Sequence, residues 1–227
     1  PLVEDHLTEE KYKEMIKVSR RNVGYMKNLV VKTIELAKLN SPNTHFIFEP
    51  IYVSAILNNI IESNKYLTIQ KQIDIKNSIH KDIMISADRL RMEELFTNLL
   101  NNAIKYSNQN GSIEINYSEE PDHIIVSITD DGIGMDKTQI NHLFDEFYKA
   151  DESRHDFESS GLGLPICKRI VERHGGQMWA KSPGINKGST IFVKLPKNNT
   201  EEESINSSDS STNESIEQKI DDLVKFN

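Results

Sequence analysis

A long stretch without proline, residues 8–39, constrains the fold of this chain more than any other feature of its sequence. Residues recur there at alternating spacings of four and three, and a flanking row repeats every seventh residue, as in a coiled-coil or bundle helix. The seam consists of Tyr12, Ile16, Ser19, Val23, Met26, Val30, Thr33 and Ala37, and the flanking row of Met15, Asn22, Leu29 and Leu36. We therefore expect one long bundle helix, with an amphipathic helix packed on its own domain as the alternative.

The tripeptide Ser-Pro-Asn at 41–43 ends this helix, because the residue before a proline is disfavoured in the helical conformation. Beyond it, apolar residues alternate between helical and strand-like spacing. The pattern predicts helices at 53–64, 89–107 (with Asp88 as N-cap) and 164–174, and strands at 69–75, 112–117, 123–129, 177–181 and 190–195. Several strands are sequential hairpins, which a repeated βαβ unit would not give. We expect an α+β fold, a two-layer α/β sandwich with helices on one face of a mixed sheet.

Acidic residues concentrate at the C-terminal end of the chain, whose net charge is −8. Residues 201–227 hold eight acidic and two basic residues, so the rest is nearly balanced and has no electrostatic footprint for nucleic acid. Residues 198–227 are rich in serine, asparagine and glutamate, and we expect them to form a disordered tail.

Cysteine usage and hydropathy bear on the cellular location. The single cysteine, Cys167, forms no internal disulfide, which fits a reducing cytoplasm. No apolar run approaches the roughly 18 residues of a membrane span. Because the chain begins with Pro1, we expect that it is cut from a longer protein, in which a membrane anchor can lie upstream.

An asparagine-rich segment, NLLNNAIKYS at 98–107, lies in the predicted helix 89–107. Asn98 and Asn102 are four residues apart and share a face, and Asn101 and Lys105 share the adjacent one. Amide oxygens suit a Mg²⁺ ion that also binds phosphate oxygens, and Lys105 would add a positive charge. A solvated polar face is the alternative, although asparagine is a poor helix former.

Three glycine-containing segments also suggest ligand binding, although each one alone is also typical of a turn or a cap. In TDDGIGMD, 129–136, a strand-end carboxylate can accept a hydrogen bond from the exocyclic amine of adenine, and the glycines let a flat base approach. In SSGLGL, 159–164, glycines at a helix start offer an anion site behind a polar, lid-like stretch. In NKGSTIFV, 186–193, the chain turns before a strand, where Thr190 can reach a ligand.

The order of these motifs, with FDEFYKAD at 144–151 between the second and third, resembles the ATP-binding domain of sensor histidine kinases. That domain belongs to the GHKL superfamily, which includes type II topoisomerases and a heat-shock chaperone and has the Bergerat-type ATP-binding fold. The resemblance implies an ATP-binding catalytic domain at 43–197. It also implies that residues 1–42 contain the second helix of a dimerisation and phosphotransfer domain, without its acceptor helix.

The resemblance implies roles for individual residues and assigns none as catalytic. Asn102 resembles the Mg²⁺ ligand and Asp130 the carboxylate that reads adenine. The other implied nucleotide-binding residues are Asn98, Lys105, Tyr106, Gly132, Gly134, Tyr148, Lys149, Gly161, Leu162, Gly163, Leu164 and Thr190. The chain departs from the family pattern at Asp131, where asparagine is usual, at Lys149, where arginine is common, and at Ser159, where a further glycine is frequent.

The family's acceptor motif does not occur in this sequence. That motif is His-Glu-[Leu/Ile]-Arg-[Thr/Asn]-Pro, and its histidine receives the phosphoryl group. His6 lacks that context, so we expect a linker histidine there and no autophosphorylation of this chain. The resemblance implies transfer of the γ-phosphoryl group of Mg-ATP to a histidine on another segment. Implied partners are an acceptor-histidine helix, a response regulator receiver domain and a second copy bound through residues 12–37.

Two other functions remain open. One is a nucleotide-sensing interaction module without turnover. The other is a hydrolase or serine kinase of the same superfamily, which usually carries a glutamate one helical turn before the Mg²⁺ asparagine. This chain has Asn98 at that position and Glu94 a further turn back, which disfavours the second alternative.

Overall fold

A computed structural model describes residues 8–79, 83–149 and 160–197 of the chain. The predictions for His6, for the stretch 150–159 with Ser159, and for the tail at 198–227 lie outside the described residues. Within the described part, no helix is long and apolar enough to cross a membrane.

The described residues contain six helices and seven strands. The helices are α1 (Glu9–Asn40), α2 (Val53–Ser63), α3 (Lys65–Lys71), α4 (Arg89–Tyr106), α5 (Lys137–His142) and α6 (Gly163–Arg173). The strands are β1 (Phe48–Tyr52), β2 (Asp74–Asn77), β3 (Met84–Asp88), β4 (Ser112–Glu119), β5 (His123–Asp130), β6 (Gln177–Lys181) and β7 (Ser189–Pro196).

The main sheet is mixed, as predicted, with the strand order β2-β4-β5-β7-β6. The β2–β4 pair is parallel and the other three pairs are antiparallel. In β5, Ile124, Val126 and Ile128 are buried while the residues between them are only partly covered. This alternation places the core on one face of the sheet, where α4 and α6 pack, and confirms the predicted α+β class.

Helix α1 confirms the predicted long helix and its end. The Thr8 side chain accepts a hydrogen bond from the backbone N–H of Lys11 at the N-terminus, and Ser41 follows the last residue. Burial in α1 is confined to its C-terminal end, at Leu36 and Leu39. There the Arg173 guanidinium donates to the carbonyl oxygens of Leu39 and Ser41, each at 3.1 Å. The end of α1 is therefore fastened to α6, while most of the heptad seam remains exposed.

The strand predicted at 69–75 is wrong in its first part. The segment is helical in α3 up to Lys71, and strand β2 begins only at Asp74. Gln72 adopts a left-handed conformation, with φ of 54°, and ends the helix. A short apolar run does not distinguish helix from strand, and here Ile69 is 67% exposed rather than on a buried strand face.

Three elements besides α3 were not predicted. Strands β1 and β3 pair with each other in a separate two-stranded antiparallel sheet, and α5 is a short helix with a capping box at Asp136. Each is only five or six residues long, which is too short for a periodic signal to stand out.

Candidate nucleotide-binding site

A cavity of about 640 Å³ opens between α4, the ends of β5 and β7, the start of α6, and one side of α1. This volume is in the usual range for a small-molecule site. Most of the site residues predicted from sequence line it, namely Asn98, Asn102, Lys105, Tyr106, Asp130, Gly134, Tyr148, Lys149, Gly161, Gly163 and Leu164. Gly132, Leu162 and Thr190 do not lie among the lining residues.

Asp130 lies at the end of β5, in phase with the buried residues of that strand, so its carboxylate is on the helix side of the sheet. Only 7% of the residue is exposed. Oδ1 accepts a hydrogen bond from the Gly132 N–H at 2.9 Å, and Oδ2 accepts one from the Ser189 hydroxyl at 2.5 Å. Burial raises the pKa of the Asp130 carboxyl, although both hydrogen bonds act in the opposite direction. The cavity wall thus carries a fixed, weakly solvated acceptor.

The residues of β7 that line the cavity are Ser189 and Ile191, and the predicted Thr190 is not among them. Ser189 pairs with Asp130 in the sheet register, whereas Thr190 pairs with Thr129. The Thr129 and Thr190 hydroxyls lie 3.0 Å apart, bonded to each other. Successive residues of a strand point to opposite faces, so Thr190 is turned away from the cavity side.

Gly132 shapes the site from behind the cavity wall. A β-carbon at this position would collide with the carbonyl oxygen of Tyr106, at the end of α4. The adjacent Ile133 N–H donates to that same oxygen at 3.2 Å. The chain leaving β5 therefore lies directly against the last turn of α4, which only glycine permits here.

Gly134 and Gly188 turn the loops beside the cavity in left-handed conformations, with φ of 61° and 71°. A β-carbon on Gly134 would collide with the carbonyl oxygen of Gly184, and one on Gly188 with that of Asp130. Both loops are packed backbone against backbone next to the Asp130 carboxylate, so neither position has room for a side chain.

The polar face of α4 lines the cavity with neutral amide groups and one lysine. Asn98, Asn101, Asn102 and Lys105 line the cavity together. The described residues contain no cluster of three or more histidine, cysteine or acidic side chains that could hold a metal. Neutral amide oxygens match a Mg²⁺ ion that arrives with phosphate oxygens and keeps part of its water, so the residues present fit such an ion. Asn102 would hold it, with Asn98 beside it.

The start of α6 forms a third wall. Gly161, Gly163 and Leu164 line the cavity, while Leu162 is fully buried and serves as the N-terminal boundary residue of the helix. Gly161 has a φ of 71° and its carbonyl accepts from the Phe147 N–H at 3.1 Å. The first N–H groups of a helix lack partners within it and carry its positive dipole end, so this wall suits an anion.

A fourth wall comes from α1, in which the sequence predicts no site residue. Tyr25, Asn28, Val31 and Lys32 line the cavity. The ammonium of Lys149 lies 5.2 Å from the centre of the Tyr25 ring. No local motif signals this wall, because it depends on how α1 packs beside cavity residues, from Asn98 onward, that are more than sixty residues away in sequence.

Ionisable side chains join α1 to α4 next to that wall. Lys32 Nζ lies 3.0 Å from Glu35 and 3.4 Å from Glu94, and Arg91 lies 2.9 Å from Glu94. Burial, together with a hydrogen bond to Glu35 and its charge, raises the pKa of Glu94. Burial works against ionisation of Glu35 as well, but the hydrogen bonds from Glu94 and Lys32 lower the pKa of Glu35. Glu94 is thus engaged in holding α1.

Asp131, where the family usually has asparagine, forms hydrogen bonds within the fold. Its Oδ2 accepts a hydrogen bond from the Ser112 N–H at 2.7 Å and lies 3.3 Å from the Ser112 hydroxyl. It thereby connects the end of β5 to the start of β4 and does not line the cavity.

Comparison with known proteins identifies one matching family model. Residues 87–199 match the model described as histidine kinase-, DNA gyrase B-, and HSP90-like ATPase. Over 189 residues the chain is 31% identical to the sensor histidine kinase WalK of Bacillus subtilis (strain 168), a match that covers 82% of the chain and 31% of WalK. The sensor protein kinase WalK of Staphylococcus aureus is 30% identical over 191 residues, with coverage of 83% and 46%. The chain therefore spans less than half of the length of these curated relatives.

Solved structures share the fold. The catalytic domain of histidine kinase ThkA matches with a TM-score of 0.60 and 24% identity, covering 67% of the chain and 97% of that domain. ThkA in complex with the response regulator protein TrrA matches with a TM-score of 0.65 and 21% identity, covering 87% of the chain and 53% of that protein. The second match covers a larger share of the chain than the first.

Proposed function

The chain belongs to the sensor histidine kinases and carries their ATP-binding catalytic domain, and we propose that it transfers the γ-phosphoryl group of Mg-ATP to a histidine on another segment. The observation that carries this proposal is the composition of one cavity. A buried carboxylate acceptor, an amide-rich helix face with a lysine, and a helix N-terminus surround the same space. These three groups match adenine, a metal-bound phosphate chain and the phosphate charge, respectively.

Three of the four cavity walls bind different parts of ATP. Asp130 accepts a hydrogen bond from the adenine amine, which distinguishes adenine from guanine because guanine presents a carbonyl oxygen at that position. Asn98 and Lys105 contact phosphate oxygens, and Asn102 would hold a Mg²⁺ ion, which would neutralise phosphate charge. The start of α6 holds the phosphate chain through backbone N–H groups. Catalysis then rests on positioning and charge neutralisation, and the nucleophile is the acceptor imidazole.

The ion pairs of Glu94 with Lys32 and Arg91 argue against ATP hydrolysis and against phosphoryl transfer to serine. A general base must reach the water or hydroxyl that it deprotonates. Glu94 is held by Arg91 and Lys32 at the junction of α1 and α4, and the position one turn before Asn102 is Asn98, which has no basic group. A histidine acceptor needs no such base, since a neutral imidazole nitrogen already has a lone pair.

Calorimetric titration tests the binding site. We expect Asp130→Asn and Asn102→Ala each to weaken Mg-ATP binding by about 1–3 kcal/mol, the usual result of losing one partner of a hydrogen bond or ligand contact. Asp131→Asn is the matched control, because it makes the same chemical change one residue away, outside the cavity. Unchanged affinity in both site variants would contradict the proposed geometry.

Phosphate transfer needs a separate test, because a nucleotide-sensing module without turnover would pass the first one. Labelled ATP and the protein are incubated with a purified acceptor-helix domain of a sensor histidine kinase. We expect acid-labile, base-stable label on the acceptor, dependent on Mg²⁺ and lost in Asn102→Ala. Tight ATP binding without label on any acceptor would favour the sensing module.

The proposal extends to domains and partners. Helix α1 would be the second helix of a dimerisation and phosphotransfer domain, followed by the ATP-binding domain at 43–197. Its exposed seam, in which Val23 is 61% and Val30 is 56% accessible, supports a homodimer through residues 12–37. The complex of ThkA with the response regulator TrrA supports a receiver domain as the partner that accepts the phosphoryl group.

A further inference from the structure

Lys149 occupies an unusual place for a residue expected to contact phosphate. It lines the cavity from the segment after α5, and its ammonium lies 5.2 Å from the centre of the Tyr25 ring, on α1. Tyr25 lines the same cavity and is only partly exposed. The two residues therefore bring α1 and the segment after α5 together at the edge of the proposed nucleotide site.

An ammonium group can contact a ring and an anion at the same time. The face of a tyrosine ring attracts a cation through its quadrupole and does not use up the three N–H donors of lysine. A lysine side chain that is already held at the cavity wall loses less rotamer freedom when a phosphate binds. The ring contact and the phosphate contact thus support each other.

We infer that Tyr25 is a positioning residue of the nucleotide site, which holds the Lys149 ammonium at the cavity wall for contact with the phosphates of ATP. The inference rests on the proposed function and deepens it, since it makes α1 a part of the nucleotide site. Tyr25 acts through Lys149 and takes no part in adenine recognition, which belongs to Asp130 on another wall.

The position of Tyr25 is fixed by independent contacts further along α1. Two turns on, Lys32 contacts Glu94 of α4 at 3.4 Å, and near the helix end the Leu39 carbonyl accepts from Arg173 of α6 at 3.1 Å. These contacts fasten α1 to the two helices that form the polar and glycine-rich walls. A change in how α1 packs would therefore alter the place of Tyr25 and, through it, of Lys149.

The experiment compares ATP and adenosine binding by calorimetry in four variants of the whole chain. Tyr25→Leu removes the ring, Tyr25→Phe keeps it and removes only the hydroxyl, Lys149→Met removes the charge, and the fourth variant combines Tyr25→Leu with Lys149→Met. We expect Tyr25→Leu to weaken ATP binding roughly two- to fivefold, as for a partly exposed cation–π contact, with Tyr25→Phe close to wild type. We expect Tyr25→Leu to have no further effect in the Lys149→Met background, and no variant to change adenosine binding.

The outcomes separate this inference from the proposed function. If the wild-type chain binds no ATP, the proposed function itself fails. If it binds ATP and Tyr25→Leu has wild-type affinity, only the role of Tyr25 is overturned. Equal losses for ATP and adenosine, or an undiminished effect of Tyr25→Leu in the Lys149→Met background, would show a general structural role and overturn it too. Circular dichroism of each variant confirms that the helix content is retained.

Discussion

Asp130 and Ser189 face each other across the β5–β7 pair, and the Ser189 hydroxyl donates a hydrogen bond to Oδ2 of Asp130 at 2.5 Å. The other carboxylate oxygen, Oδ1, accepts from the Gly132 N–H. Both bonds favour the ionised form, while burial raises the pKa of Asp130. Ser189 therefore favours the ionised form of a weakly solvated carboxylate and helps to fix its orientation at the cavity wall.

Replacing Ser189 with alanine should make ATP binding more sensitive to acid. In the proposed site the carboxylate form of Asp130 accepts from the ligand, so affinity should be constant above its pKa and fall below it. Loss of the Ser189 donor raises that pKa further, and the fall should begin at a higher pH than in the wild-type chain. Affinity at neutral pH should drop by roughly 1 kcal/mol. Calorimetric titrations across the pH range measure both effects.

Ser189→Thr is the matched control for this prediction, because it keeps a hydroxyl at the same atom. Its pH profile should coincide with that of the wild-type chain. An unchanged profile in Ser189→Ala would mean that the hydroxyl has no part in setting the ionisation of Asp130.

The position of Ser189 was within reach of sequence reasoning. Ile191, Val193 and Leu195 alternate as the core-facing residues of β7, and the same phase includes Ser189 and excludes Thr190. Strand alternation thus predicts that Ser189 lines the cavity, whereas the motif alone suggested Thr190. The α4 helix and its Asp88 cap were predicted because strong periodicity and a local cap coincide there.

Helix α3 and the contacts between distant segments could not be predicted from local sequence patterns. The helix α3 lies in an apolar run that reads equally as strand, and its end depends on a left-handed Gln72. Lys71 at the same place donates to the Ile104 and Lys105 carbonyls at the end of α4, both at 2.8 Å, a contact between distant segments. The α1 wall of the cavity has the same origin, since long-range packing leaves no local pattern.

His174 should make the stability of the chain depend on pH. It is 1% exposed, its Nε2 accepts from the Asp88 N–H at 3.0 Å, and its Nδ1 therefore carries the proton and donates to the Ile170 carbonyl at 2.8 Å. Burial lowers the pKa of His174. The stabilisation is then fully present above the unfolded-state pKa of roughly 6.5 and is lost as the pH falls through the lower folded-state pKa. Urea unfolding from about one pH unit above the unfolded-state pKa to about one and a half units below it should show this loss.

His174→Gln provides the comparison, because glutamine can still accept and donate but does not titrate. It should lower the free energy of unfolding at neutral pH, through imperfect geometry, yet flatten its pH dependence in the acidic range. A wild-type stability that is flat on acidification, or an equally steep profile in the variant, would contradict a role for the neutral imidazole.

Two glycines should respond in opposite ways to alanine. Gly132→Ala forces its β-carbon into the Tyr106 carbonyl, so we expect a loss of stability of a few kcal/mol and weaker ATP binding. Gly24→Ala meets nothing within 4 Å in the middle of α1, and should stabilise the chain by about 0.5–1 kcal/mol. Thermal unfolding with and without Mg-ATP distinguishes the two, and a tolerated Gly132→Ala would show that the loop after β5 can move.

The exposed seam of α1 should mediate self-association. Ile16, Val23, Met26 and Val30 are 46%, 61%, 54% and 56% exposed, on a side of the helix away from the cavity-lining Tyr25 and Lys32. Burying one such side chain is worth roughly 1.5–3 kcal/mol, so pairing two copies along the seam recovers several such contributions. We expect a dimer by light scattering. Val23→Lys should weaken that dimer by at least about tenfold, because a charge would replace a valine that the dimer contact covers.

Val18→Lys is the control for this substitution, since it makes the same change five residues earlier, roughly 140° around the helix. Val18 is 39% exposed and lies outside the seam, so its variant should remain a dimer. Both variants should retain ATP binding, because neither position lines the cavity. A wild-type chain that stays monomeric at high concentration, or equal dissociation by both lysine variants, would exclude the seam as the dimer contact.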